Sequence, residues 1–103
     1  MKEKSYKFYE MFLKALCNKT RFEIIMLLKE GPKNVMEISN TLKYEQSRIS
    51  HNLKKLESCG FVNQKSKGKL RIYNIETNYI NPILKNIEKY KIKYQKKLKD
   101  CPC

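Results

Sequence analysis

Apolar side chains in this chain recur first at helical spacing, then at strand spacing, then at helical spacing again. Residues 6 to 17 (Tyr-Lys-Phe-Tyr-Glu-Met-Phe-Leu-Lys-Ala-Leu-Cys) contain no Gly or Pro and predict a helix. Its apolar residues are spread widely: Phe8, Phe12, Ala15 and Leu16 cover one side, and Tyr9 and Leu13 broaden it. A single amphipathic face does not need that width, so this helix is expected to pack against a second chain as well. Asn18 is a suitable N-cap for a second helix, in which Phe22, Ile25 and Leu28, with Ile24 and Leu27, are expected to face the core. Gly31-Pro32 ends it. A third, short helix spans about Val35 to Leu42, with Val35, Ile38 and Leu42 at i, i+3 and i+7. A Lys43-Tyr44 turn leads to a fourth, in which Ile49, Leu53 and Leu56 point inward and Gly60 occupies a C-terminal position suited to left-handed backbone. Two short helices joined by a tight turn form a helix-turn-helix, over about residues 34–60.

The period then changes. Phe61-Val62-Asn63-Gln64-Lys65 and Lys69-Leu70-Arg71-Ile72-Tyr73-Asn74-Ile75 flank Ser66-Lys67-Gly68, which predicts two strands joined by a Gly-containing turn. This is a wing, over about residues 61–75. From Asn78 or Asn81 to about Lys99 the helical period returns, with Ile80, Ile83, Leu84, Ile87, Tyr90, Tyr94 and Leu98 along one stripe and Pro82 in the first turn. A long terminal helix with such a stripe needs a surface to bury it, and pairing with the first helix of a twin chain supplies one. Phe8 and Phe12 from the first helix, and Ile83, Ile87, Tyr90 and Tyr94 from the last, are therefore the expected dimerisation residues. The expected architecture is α+β, mainly α: a winged helix-turn-helix with a two-stranded β-wing and N- and C-terminal dimerisation helices, the last over about residues 79–99. A chain of 103 residues has room for one domain, taken as 1–103.

Composition narrows the partners. Lys plus Arg number 23 against 10 Asp plus Glu, a formal net charge of +13, which favours a polyanion, with nucleic acid foremost. A solvated lysine-rich surface gives the same arithmetic, so position has to decide. No stretch approaches the eighteen or so apolar residues of a membrane span, and Met1-Lys2-Glu3-Lys4-Ser5-Tyr6 lacks the apolar core of a signal peptide, so a cytoplasmic protein without a membrane partner is expected. In a reducing compartment the four cysteines are expected as free thiols or metal ligands.

Two segments carry a resemblance. Asn18-Lys19-Thr20-Arg21-Phe22-Glu23-Ile24-Ile25-Met26-Leu27-Leu28 resembles the second-helix signature of the ArsR/SmtB family, in which an arginine precedes an aliphatic run. Gln46-Ser47-Arg48-Ile49-Ser50-His51-Asn52-Leu53-Lys54-Lys55-Leu56 resembles that family's recognition helix, ending in Cys59-Gly60-Phe61-Val62 as the chain enters the wing. The resemblance runs from about residue 8 to 98 and implies a homodimeric DNA-binding regulator, with repression as the family's habit. Two departures bear on base preference: Asn52 stands where the family usually has histidine, with His51 just before it, and Glu45 stands where Ser or Thr commonly caps the recognition helix.

With Ile49, Leu53 and Leu56 turned inward, Gln46, Ser47, Arg48, Ser50, His51 and Lys54 lie near the helix start or on its other faces, where they can meet base edges and phosphates in a major groove. On an arbitrary helix such residues are merely solvated; after a helix-turn-helix and before a basic hairpin, they are candidate DNA contacts. The wing carries Lys65, Lys67, Lys69 and Arg71 with no acidic residue between Phe61 and Ile75, suited to phosphate tracking or the minor groove, although lysines also protect exposed sheet edges. The lysines of the last helix read mostly as a solvated face.

The effector is less legible. Metal-sensing members of the resembled family carry Cys-x-Cys on the third helix, or Asp and His ligands on the last; here the third helix reads Asn34-Val35-Met36-Glu37-Ile38-Ser39, without such a site. Cys101-Pro102-Cys103 could supply part of a soft-metal or metalloid site completed by Cys17 or a partner chain, a redox pair, or a tail without a role. Cys17 and Cys59 are expected as small buried packing residues. His51 is the single histidine, no nucleophile-base or paired-carboxylate pattern surrounds it, and Gly31, Gly60 and Gly68 form no phosphate-cradling loop, so no enzyme is indicated. The expected function is sequence-specific binding of double-stranded DNA by a homodimeric repressor on a pseudo-palindromic operator. The competing readings are a non-specific architectural DNA-binding protein and a winged-helix protein-interaction module.

Overall fold

The computed structural model describes residues 3–98. Five helices and one hairpin follow in the order α1 (Glu3–Leu16), α2 (Lys19–Leu28), α3 (Val35–Leu42), α4 (Gln46–Ser58), β1 (Val62–Lys67), β2 (Leu70–Ile75) and α5 (Ile80–Leu98). This is the expected winged helix-turn-helix. Polar side chains set the helix starts by satisfying amides that have no partner within the helix. Asn18 Oδ1 accepts from the Arg21 N–H at 3.0 Å. Before α3, Asn34 and Glu37 cap each other's backbone N–H, at 2.9 and 3.0 Å, a reciprocal Asn-x-x-Glu box. Glu45 makes no capping bond at the start of α4.

The core lies where α2, α3 and α4 meet the root of the hairpin. Ile24, Ile25, Ile38, Ile49, Leu53 and Leu56 are completely buried, and Phe61, Val62, Tyr73, Ile75, Ile80 and Leu84 close over them. One expectation fails on α2: Phe22 is 38% exposed. The helix buries Thr20, Ile24, Ile25, Leu27 and Leu28 as one arc, and at about 100° per residue Phe22 lies about 160° around from Ile24, beyond its edge.

The helix-turn-helix turns at Lys43, whose φ of 62° is left-handed, with Ser39 Oγ donating to the Tyr44 carbonyl across the bend. Gly60, at φ 78°, takes the left-handed position after α4. The hairpin pairs Val62 with Ile75 through to Lys67 with Leu70, antiparallel. Its strands thus run through Ser66 and Lys67, and the turn is Gly68-Lys69 rather than Ser66-Lys67-Gly68. Gly68, at φ 64°, supplies the left-handed residue that a two-residue hairpin loop needs. Lys33 and Tyr73 exchange two backbone hydrogen bonds, at 2.8 and 3.1 Å, which fasten the α2–α3 connection to β2.

The outer helices are only partly covered. Phe12 meets Phe61 edge-on at 5.0 Å between ring centres, and Ala15 reaches the core. Tyr6, Phe8, Tyr9, Met11 and Leu13 of α1 remain exposed. On α5, Ile80 and Leu84 are buried and Lys29 lies 3.5 Å from Glu88, but Ile87, Tyr90 and Ile92 are exposed, and the backbone leaves helical values at Tyr94 (φ −109°, ψ 15°). Cys17 and Cys59 are exposed free thiols, contrary to the buried role expected of them. Each sits at a helix end, past the last inward-facing position.

Candidate nucleic-acid interface

On α4, complete burial of Ile49, Leu53 and Leu56 fixes the helix's rotation, and Gln46, Ser47, Arg48, Ser50, His51 and Lys54 are all exposed. Asn52 is the exception among the polar residues. It is buried, accepts from Arg21 Nη1 at 3.3 Å and donates from Nδ2 to the Arg48 carbonyl at 2.9 Å. At i+3 from Ile49 and beside Leu53 it belongs to the inward face, so this departure from the resembled recognition helix bears on packing instead of on base-facing chemistry.

Arg48 projects from the first turns of α4 but is held. Its Nη2 and Nε donate to Thr20 Oγ1 at 2.6 and 3.2 Å, and its guanidinium lies 4.1 Å from the centre of the Tyr44 ring. Tyr44 in turn donates from its hydroxyl to Glu23 at 2.7 Å, and that hydrogen bond to a carboxylate raises its pKa above the ordinary value, keeping it a donor. Glu23, Tyr44, Arg48 and Thr20 therefore form a polar chain from α2 to α4 across the turn. Sequence reading singled out only Arg48 of these four. The others come together because the bend at Lys43 carries Tyr44 back over α2, and sequence spacing carries no signal of that.

Lys65, Lys67, Lys69 and Arg71 are all exposed, and the register divides them. Directly paired residues share a face, so Lys65 and Lys67 stand with Ile72 and Leu70, whereas Arg71 stands with Ser66 on the opposite face. That second face also carries Gln64, which donates to Glu57 of α4 at 2.9 Å. Arg71 is thus on the α4 side of the wing, Lys69 in its turn, and Lys65 and Lys67 on its back, beside a groove of about 590 Å³ bordered by Pro32 and Asn74.

Of the six expected dimerisation residues, Phe8, Ile87 and Tyr90 are exposed and Phe12, Ile83 and Tyr94 half-buried, with the Tyr90 and Tyr94 rings 5.0 Å apart and tilted by 38°. Cys101 and Cys103 lie outside the described residues. Among the described residues no group of three or more His, Cys, Asp or Glu side chains could hold a metal ion, and no helix is long and apolar enough to cross a membrane.

A helix-turn-helix whose second helix shows a polar face, followed by a cationic hairpin, defines a winged helix-turn-helix of the DNA-binding type. Residues 18–64 match the model of the arsR family of bacterial regulatory proteins. An HTH-type transcriptional regulator of Methanocaldococcus jannaschii is 36% identical over 87 residues, 84% of this chain and 97% of the relative. The HTH-type transcriptional regulator NmtR of Mycobacterium tuberculosis is 29% identical over 72 residues, 70% of this chain and 60% of that longer protein. The crystal structure of Rv0081 from M. tuberculosis superposes with a TM-score of 0.85 at 28% identity, over 93% of this chain and 97% of the other. The chain belongs to the arsR family and is a winged helix-turn-helix transcriptional regulator.

Proposed function

We propose that two copies of this chain assemble through α1 and α5 and place their α4 helices in successive major grooves of a pseudo-palindromic operator, with repression as the outcome. The observation that carries this reading is the exposed row Gln46, Ser47, Ser50, His51 and Lys54 on a helix whose opposite face is completely buried. Such a helix is rigidly aimed, and amide, hydroxyl and cationic groups are the ones that read base edges. The exposed aromatic and aliphatic residues on α1 and on α5 beyond Leu84 supply the second half of the reading, because a stable monomer has no reason to keep both in water. Arg71 and Lys69 are assigned to phosphates flanking the groove that α4 enters, with Lys65 and Lys67 adding attraction from the back of the wing.

Selection of binders from a random duplex pool tests this reading. An inverted repeat with half-sites about one helical turn apart, near 34 Å, is the expected product. Retention of every sequence equally makes the chain an architectural protein, and absence of DNA binding makes it an interaction module.

The effector reading attaches to Cys101-Pro102-Cys103 on chemistry alone. Two thiolates suit a soft metal or metalloid but fall short of the three or four ligands such ions take. The further thiols of this chain, those of Cys17 and Cys59, are exposed. Release of DNA by arsenite or zinc, lost on changing Cys101 and Cys103 to serine, is the result that supports it.

A further inference from the structure

One side chain touches both the helix assigned to dimerisation and the helix assigned to reading DNA. Arg21, in the first turn of α2, donates from Nε to the Ala15 carbonyl at 2.7 Å and from Nη2 to the Lys14 carbonyl at 3.2 Å. Both belong to the last turn of α1, where carbonyls lack partners within the helix and a cation is favourable. Its remaining arm, Nη1, donates to Asn52 Oδ1 at 3.3 Å, and Asn52 is itself fixed to α4 through the Arg48 carbonyl. A guanidinium is a rigid planar fork, so the three bonds cannot lengthen independently. Moving the end of α1 moves the middle of α4, or breaks one of them. Besides this fork, α1 is held to the body by Phe12 against Phe61, by Ala15 in the core and by Leu16 packed against it.

We propose that Arg21 is a positioning residue that makes the pose of the recognition helix depend on the α1 dimer helix, so that assembly of two chains and reading of sequence are coupled through the Arg21–Asn52 bond. This rests on the roles proposed above for α1 and α4. Arg21 has no direct part in base contact: its effect reaches DNA through Asn52. The core under α4 (Ile49, Leu53, Leu56) does not depend on the bond, so its loss detunes the helix without unfolding it.

The test uses the full chain and a duplex selected by the wild type from a random pool, with a shuffled copy as control. Arg21→Lys keeps the charge and loses the fork. It is expected to weaken binding to the selected duplex about 10- to 100-fold, within the usual range of coupling between sites. Binding to the shuffled copy, the salt slope and the sedimentation of the dimer should stay unchanged. Asn52→Ala, which leaves both α1 carbonyls bonded, should give the same loss, and the double variant no more than either single one, because all three cut one connection. Should Arg21→Lys fail to fold, the Asn52→Ala ratio decides. A merely structural role lowers the thermal midpoint and leaves the ratio of selected to shuffled affinity where it was, and that result overturns the proposal; so do losses that multiply in the double variant. A wild type that selects no duplex, or sediments as a monomer, overturns the proposed function and this inference together, whereas a selective wild-type dimer with an unchanged variant ratio overturns this inference alone.

Discussion

The Arg48 guanidinium lies 4.1 Å from the centre of the Tyr44 ring while its Nη2 donates to the Thr20 hydroxyl at 2.6 Å, so the cation in the first turn of the recognition helix is oriented before any DNA arrives. An arginine fixed in this way loses less side-chain entropy on binding than a free one. Arg48→Ala is expected to lower affinity for the operator and relax preference at one base position, by about 1–3 kcal/mol if the contact is bidentate. Titration of single-position duplex variants measures it. Thr20→Val keeps the buried shape and removes the tether, so it should change operator affinity far less than Arg48→Ala.

The wing gives a different readout. Neutralising one phosphate contact lowers the slope of log affinity against log salt by about 1 and weakens all sequences alike. Arg71→Ala, on the α4 face of the hairpin, is expected to do this in full. Lys67→Ala, on the opposite face, should weaken all DNA similarly with a smaller change of slope. Affinities at four or five salt concentrations separate the two.

Exposure distinguishes dimer contacts from core contacts. Leu13 is 61% exposed on α1, so Leu13→Glu is expected to give a folded monomer by sedimentation, with weakened operator binding. Leu53→Ala, at a completely buried position, should instead cost about 2–5 kcal/mol of folding stability in denaturant titration.

Acid should loosen the start of α5. Glu76 accepts backbone N–H bonds from Asn78, Tyr79 and Ile80 at 2.7, 2.7 and 2.9 Å, and these bonds, the one from Ile80 foremost, hold its carboxyl below the ordinary value of 4.5. A carboxylate depressed on folding contributes stability that is present above its unfolded pKa and lost as pH falls through the folded one. Glu76→Ala should therefore lower the thermal midpoint at neutral pH, and the difference from wild type should shrink as pH falls below about 4.5. Thermal melts of both proteins from pH 7 to 3 check it.

Elements with a strong period were legible in the sequence. Val35 to Leu42 appears with the expected bounds, and Ile49, Leu53 and Leu56 are buried as their spacing requires. Of the five apolar residues expected to face the core on α2, Ile24, Ile25, Leu27 and Leu28 are buried, and only Phe22 falls outside the covered arc, which includes Thr20. The hairpin turn is two residues, Gly68-Lys69, instead of three, because β1 continues through Ser66 and Lys67 and Gly68 begins the loop instead of ending it. What the sequence could not reveal were connections between distant segments. Arg21 stood inside a recognised signature, but its bonds to Lys14, Ala15 and Asn52 exist only once α1, α2 and α4 are packed, and Tyr44 reaches Glu23 only after the chain bends at Lys43. Local pattern predicts elements; polar networks depend on their assembly.

The most direct test of the central claim is a fluorescence-anisotropy titration of the purified chain at physiological salt, against a duplex it selects from a random pool and a shuffled copy of equal length. Sequence reading by paired α4 helices predicts a preference of at least about a thousandfold for the selected duplex. Equal affinity for the two would contradict it, leaving the charge of the chain, and not the aim of its recognition helix, as what binds DNA.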